Sequence, residues 1–235
     1  MKRKNIVVIE SETAPDDKYA IWKNGNEVKQ VIGDKWTHCA DLSEYSDVDG
    51  MKYQNSTITK FPDNWRFAPR TGNNCNYMFC DCYTLTSLDL SSFNTSKVTD
   101  MNSMFCNCRN LKSLNLSNFD TSNVTDIYYM FRECDKLTSL DLSSFDVSKV
   151  TSLFGAFSQC FKLQTITKGS FKNLKVSLDI SSCVVLSKQS VVDLFDSIGT
   201  ANSGAKITLA SAVYSQLSED EIKVATDKGW TVASN

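Results

Sequence analysis

The dominant feature of the chain is a pattern of hydrophobic and polar positions that recurs every 26 residues. Copies begin at Met78, Met104 and Met130 without insertion, and a degenerate fourth copy begins at Ala156. Repetition at a fixed period of roughly 20–50 residues is typical of proteins built from stacked, similar units. The pattern therefore predicts a repeat architecture for the centre of the chain.

Within each copy, one segment shows the alternation expected of a strand. Because successive strand residues point to opposite faces, one face of this segment is apolar and the other is polar. Since the strands are joined by long connections, we expect them to pair in parallel. The alternating leucines are Leu88 and Leu90, Leu114 and Leu116, and Leu140 and Leu142.

The segment that follows each strand predicts a short helix. Apolar residues recur about three positions apart at Val98, Met101 and Met104, which suits one or two helical turns packed against the sheet. A strand, a loop and a short helix in roughly 20–29 residues form the leucine-rich-repeat plan. We therefore predict an α/β leucine-rich-repeat solenoid with one parallel sheet, short helices on the other side and a small β meander at the N-terminus.

The repeat also resembles a known family. Residues 85–108 read LxSLxLSxFxTSxVTDMxxMFxxC, which is similar to the BspA-like leucine-rich repeats of bacterial and protist surface proteins. The resemblance covers about residues 77–171. It implies an adhesion or protein-binding role, usually within a longer, exported chain.

Non-repeating sequence flanks the repeats on both sides. We predict N-terminal β hairpins over residues 1–57, a cap or degenerate repeat over 58–77, the regular repeats over 78–174 and irregular repeats with a cap over 175–235. Stacked units need such caps, because a terminal unit would otherwise leave its apolar edge exposed.

The N-terminal segment predicts an antiparallel meander. Strands at residues 19–22, 28–32 and 35–37 are separated by Asn24-Gly25 and Gly33-Asp34, which are typical hairpin turns. Such tryptophan-containing hairpins are similar to segments of phage tail and fibre proteins. They give an alternative interpretation, a virion structural or receptor-binding protein.

The C-terminal segment predicts two capped helices and two or three strands. Ser187 is the expected N-cap of one helix, and Ser218 with Glu221 has the capping-box pattern of another. Strands are expected from residue 175, over 206–209 and after Trp230.

Composition excludes some classes of partner. The formal net charge is −2 and 22% of the residues are charged, whereas nucleic-acid-binding proteins normally carry clustered basic residues. No window approaches the roughly 18 apolar residues that span a bilayer. The apolar run after Lys4 stops at Glu10 and is too short for a signal peptide. We expect no nucleic-acid binding and no membrane insertion.

Cysteine supplies the first candidate chemistry. Cys82, Cys108, Cys134 and Cys160 occupy one repeat column, and we interpret this column as a buried ladder that fills the same position in each unit. Two alternatives remain open at this stage: a Cys80–Cys106 disulfide, and a zinc site made by Cys80, Cys82, Cys106 and Cys108. The continuation of the column through Cys134 and Cys160 favours the ladder, and neither a metal nor a cofactor is expected.

The sequence gives little evidence for a group of catalytic residues. Asp89 and Asp141 lie two repeats apart, roughly 10 Å, which is close to the separation of the two carboxylates of an inverting glycosidase. An open face, however, offers no pocket to raise the pKa of either. His38 is the single histidine of the chain and has no catalytic partner in the repeats. We therefore expect no enzyme.

The expected binding surface is the polar face of the strands. Small polar side chains make it flat and rich in hydrogen-bonding groups, which suits broad contact with a protein or glycan at a cell surface. Tyr128 and Tyr129, on the helix side, are the aromatic exceptions. The predicted ligand-binding residues are Ser87, Asp89, Ser91, Ser113, Asn115, Ser117, Ser139, Asp141 and Ser143.

Overall fold

The computed structural model describes residues 75–88, 90 and 95–235 of the chain, and the backbone of residues 5–6, 19–24 and 27–32. The fold is mixed α/β, with short parallel strands and few helices. The elements are β1 Asn5–Ile6, β2 Tyr19–Asn24, β3 Glu27–Ile32, β4 Ser139–Leu140, β5 Thr165–Ile166, β6 Leu178–Ile180, α1 Lys188–Ser197, β7 Lys206–Leu209, α2 Ser211–Tyr214, α3 Glu219–Thr226 and β8 Thr231–Ser234.

The 26-residue units stack as rungs, and equivalent residues lie above one another. Four phenylalanines, Phe79, Phe105, Phe131 and Phe157, form a buried column with ring centroids 5.5, 5.8 and 5.6 Å apart. The leucines of the predicted strands are buried beside them. The predicted inward face of each repeat is confirmed.

Regular strand pairing on the leucine side is more limited than the sequence predicts. β4 pairs in parallel with β5, with Ser139 opposite Thr165, but residues 114–116 form no strand in the described part of the chain. A turn follows each of these segments. The side chain of Asp141 accepts the backbone N–H of Ser143 at 2.9 Å, which bends the chain directly after β4.

The prediction of short helices on the other side of the repeats is wrong. Residues 102–107 and 128–133 form tight turns instead. The N–H groups of Ser103, Phe105 and Asn107 donate to carbonyls of the next rung at 2.7–2.9 Å, while the intervening N–H groups bond within their own rung. Because every second N–H points along the stack, these turns supply most of the backbone bonds between rungs.

These turns place residues other than glycine at positive φ. Ser103 and Asn107 have φ of 54° and 65°, and the equivalent Tyr129 and Glu133 have 54° and 61°. In an α-helix such values would break the hydrogen-bonding pattern, so the apolar spacing of three residues reflects turns rather than helical periodicity.

Replacing Gln159 with glycine distinguishes the turn from a helix. Gln159 is exposed and has φ of 62°, a conformation that costs other residues about 1–2 kcal/mol but costs glycine little. We expect the variant to gain up to about 1 kcal/mol in free energy of unfolding, measured by urea denaturation, because the strain outweighs both the entropy that glycine loses and the long, 3.4 Å hydrogen bond from Gln159 to Glu133.

Lys162→Gly is the matched control, because Lys162 is exposed and has no positive φ. This control should lower the free energy of unfolding by about 0.5–1 kcal/mol. If Gln159→Gly lowers it as much as Lys162→Gly does, Gln159 does not adopt the left-handed conformation.

Short polar side chains turn the chain at the corners of the rungs. Asp100 and Asp126 accept the N–H two residues further on, each at 2.8 Å, and Asp120 and Asp146 do the same at 3.0 and 2.9 Å. Hydrogen bonds to Ser122 and Ser148 lower the pKa of Asp120 and of Asp146. The acidic columns of the repeat therefore shape its corners.

The C-terminal segment follows the sequence prediction closely. The Ser187 side chain accepts the N–H of Ser190 at the start of α1, and Ser218 with Glu221 forms a complete capping box at α3. β6, β7 and β8 make a parallel three-stranded sheet in that order. Trp230 is buried just before β8, where its indole N–H donates to the Gly199 carbonyl at 2.9 Å.

The N-terminal sheet is antiparallel, with order β1-β2-β3. The predicted hairpin between β2 and β3 is confirmed, but Asn24 pairs with Glu27 and so belongs to β2 rather than to the turn. The third strand is β1, which pairs with the other edge of β2. The predicted strand at residues 35–37 lies outside the described residues.

Candidate functional site

The predicted binding residues meet on the leucine side of the stack. Five of them, Ser87, Ser113, Asn115, Ser139 and Asp141, line a shallow groove of about 270 Å³. Leu88, Leu114, Leu140 and Thr167 complete its walls. We call it the strand-side groove.

Four predicted residues do not line this groove in the described structure. Ser117 and Ser143 are exposed but lie in the turns that follow, where their N–H groups donate to the side chains of Asn115 and Asp141 at 3.0 and 2.9 Å. Asp89 and Ser91 lie outside the described residues. Asn115 and Asp141 thus serve the fold as well as the surface.

The strand-side groove offers hydrogen bonding and little acid–base chemistry. Serine hydroxyls, the Thr167 hydroxyl and the Asn115 amide can both donate and accept. Asp141 is the one ionisable side chain among its described lining residues. A second carboxylate within the groove, which glycoside hydrolysis would need, is not among those residues.

The cysteine column is buried, as predicted. Cys82, Cys108, Cys134 and Cys160 are fully enclosed free thiols. The thiols of Cys108, Cys134 and Cys160 each donate to a phenylalanine carbonyl of the preceding rung, at 3.1, 3.3 and 3.0 Å. The column therefore ties neighbouring rungs together through side-chain hydrogen bonds.

Cys80 and Cys106 form a second pair of thiols in adjacent rungs, both free and buried. A hydrogen bond from the Cys80 thiol lowers the pKa of Cys106, and the Arg132 guanidinium lowers it further, against the effect of burial. The same bond raises the pKa of Cys80. Within the described residues, no group of three or more His, Cys, Asp or Glu side chains is arranged to hold a metal.

A polar column next to the cysteines was not recognised from the sequence. Asn107 donates to Asp81 at 2.8 Å, and Gln159 donates to Glu133 at 3.4 Å. The buried Glu133 carboxylate also contacts the guanidinium groups of Arg109 and Arg132, at 2.5 and 2.8 Å. Acidic and amide side chains alternate along the column, so like charges do not stack. The sequence does contain a signal for this column, because acidic or amide residues recur every 26 positions at Asp81, Asn107, Glu133 and Gln159.

The aromatic cluster on the turn side of the repeats, where residues 102–107 and 128–133 form tight turns, is larger than the sequence predicts. Tyr128 and Tyr129 meet Phe154, which is 62% exposed. The rings of Tyr128 and Phe154 stack with centroids 5.3 Å apart. Equivalent positions in the repeat, 26 residues apart, could have revealed this pair.

No helix among the described residues is long and apolar enough to cross a membrane. His38 lies outside the described residues, and so do the basic residues at positions 2–4.

This geometry defines a repeat protein whose stacked rungs share a buried core and carry a polar groove. Residues 73–188 match the model of the family described as "Mycoplasma protein of unknown function, DUF285". That match covers the stacked turns, β4 to β6 and the N-cap of α1. No curated protein matches the chain, and no solved structure does.

Proposed function

We propose that the chain is a BspA-like leucine-rich-repeat solenoid that acts as a non-catalytic binding or adhesion module. Its partner is a protein or glycan on a host or neighbouring cell, and its place is the cell surface. The observation that carries the proposal is the strand-side groove, where side chains from three successive rungs line one concave surface. Repeat proteins commonly bind along such extended surfaces.

The chemistry of the groove supports binding rather than catalysis. Its lining combines hydroxyl, amide and leucine side chains with one carboxylate. Hydrogen-bonding groups of this kind give specificity to an extended contact, whereas catalysis by paired acids and bases needs groups with separated pKa values. We therefore propose that the protein is not an enzyme.

A phage tail or fibre protein is the second candidate. The observation that favours it is the antiparallel hairpin of β2 and β3, because tryptophan-containing hairpins of this kind resemble segments of phage tail and fibre proteins. Proteomic analysis of purified virions would discriminate the two, because only the virion protein would copurify with particles.

The test fills the strand-side groove without disturbing its turns. Ser113 and Ser139 are exposed groove residues outside the turn hydrogen bonds of Asn115 and Asp141. We expect Ser113→Arg/Ser139→Arg to remain folded and to lose binding on an array of surface proteins and glycans, by about tenfold or more, because the arginines occupy the groove.

The control is Thr200→Arg/Ala212→Arg, which adds the same charge at exposed positions outside the groove. It should bind as the wild type does. A wild-type protein that binds no array member, or a groove variant that keeps every array partner of the wild type, would contradict the proposed function.

A further inference from the structure

A second groove lies on the turn side of the stack, between the turn at residues 151–158 and residues 176–179 and 202–208. Its volume is about 480 Å³, within the roughly 300–1,000 Å³ of small-molecule sites. It shares no lining residue with the strand-side groove. We call it the Phe154 groove.

One wall of the Phe154 groove is an exposed aromatic surface. Phe154 is 62% exposed, whereas Phe157 of the same rung is 1% exposed. The Phe154 ring lies nearly parallel to that of Tyr128, at 17°, and Tyr129 packs edge-on against both. An exposed phenylalanine held by two tyrosines is a preformed, flat contact surface.

Gly155 allows this arrangement. Its φ is +63°, and a Cβ atom there would lie 2.1 Å from a ring carbon of Tyr129. The glycine therefore provides the space in which the Tyr129 ring lies against Phe154. The aromatic surface is fixed by packing before any ligand binds.

Polar groups line the rest of the Phe154 groove. Asp179 accepts the N–H of Ser181 through Oδ1 at 2.9 Å, which orients its carboxylate, and Asn202 and Thr208 also line the groove. Asp179 and Lys206 are its two charged lining residues, of opposite sign. The Phe154 groove therefore suits a ligand that is neutral, carries hydroxyl groups and has one apolar face.

We propose that the Phe154 groove binds a neutral saccharide. A pyranose ring presents C–H groups on one face, and their positive edges are attracted to the negative face of an aromatic ring. Its hydroxyls lie around the rim, where carboxylate and amide side chains can hydrogen-bond to them. The saccharide stacks on Phe154 and hydrogen-bonds to Asp179 and Asn202.

Calorimetric titration of the full chain with maltoheptaose, cellohexaose, mannohexaose and chitohexaose tests the proposal. At least one oligosaccharide should bind to the wild type. Phe154→Ala should weaken that binding about tenfold, and Phe154→Trp should retain it because the aromatic face remains.

Two controls separate this site from other causes. Phe161→Ala removes another exposed phenylalanine, 47% exposed and outside the Phe154 groove, and should bind normally. Ser113→Arg/Ser139→Arg should also bind the oligosaccharide normally, even where it loses a partner of the strand-side groove. If none of the four oligosaccharides binds, or if Phe154→Ala binds as well as the wild type, the saccharide site is wrong and the strand-side proposal is unaffected.

Discussion

Replacing Phe105 with alanine should lower the free energy of unfolding by about 3–5 kcal/mol. Phe105 is fully buried and lies between Phe79 and Phe131, with ring centroids 5.5 and 5.8 Å away. The substitution removes the contacts of both neighbours and leaves a cavity at the centre of the stack. Because small domains have about 5–15 kcal/mol of stability in total, urea denaturation followed by circular dichroism should show a large shift.

The matched control is the same substitution at Phe161, which is 47% exposed. It should cost less than about 1 kcal/mol, because little buried area is lost. Equal destabilisation by the two variants would mean that Phe105 is not packed in a central column.

The buried columns of the repeat could be predicted because they depend on side-chain chemistry alone. Phe105, Cys108 and Leu114 recur at a fixed interval, and stacking at that interval places equivalent side chains in contact. Apolar residues in register are buried whatever backbone conformation connects them. The core was therefore predictable even where the secondary structure was not.

The turns could not be predicted because their backbone signature is incomplete in the sequence. Left-handed positions usually carry glycine or asparagine. Asn107 and Gly155 fit that rule, but Ser103, Tyr129 and Glu133 occupy the equivalent positions of other repeats. Apolar spacing of three residues fits a helical turn as well as a tight turn. The positive φ values and the hydrogen bonds between rungs distinguish the two, and those bonds join residues 25 positions apart.

The strand-side groove was partly predictable. Alternation with buried leucines placed Ser113, Asn115 and Asp141 on one face. Alternation does not tell whether an Asn or Asp side chain faces a ligand or caps a turn, and the structure gives Asn115 and Asp141 a turn hydrogen bond. The Phe154 groove was not predicted, because most of its lining comes from residues 176–179 and 202–208, which do not follow the repeat.

Raising the pH above 9 should destabilise the protein strongly. Burial raises the pKa of Cys108, Cys134 and Cys183 well above the ordinary value of 9.0, and it raises the pKa of Cys160 to about 12. All four residues are fully buried. A thiolate at any of these buried positions would lose its hydration, so the folded protein keeps these thiols protonated.

The direction of the effect follows from proton binding. Above pH 9 the thiols of the unfolded chain ionise, while the same thiols stay protonated in the folded state. The unfolded state then binds fewer protons, so the free energy of unfolding falls as the pH rises. Four thiols together contribute a loss of roughly 5 kcal/mol per pH unit, which continues toward pH 12 for Cys160. Urea denaturation under reducing conditions at pH 8, 9 and 10 measures this slope.

Cys134→Ala tests whether the column is the source of the loss. The variant lacks one buried thiol, so its stability should fall with pH less steeply than that of the wild type, by about 1.4 kcal/mol per pH unit. At pH 8 it should be less stable, because the substitution removes the hydrogen bond to the Phe105 carbonyl and leaves a small cavity. The change in slope separates ionisation of the thiol from this packing loss, which does not vary with pH. An unchanged slope in Cys134→Ala, or a wild-type stability that is flat from pH 8 to pH 10, would show that the cysteine column is open to solvent.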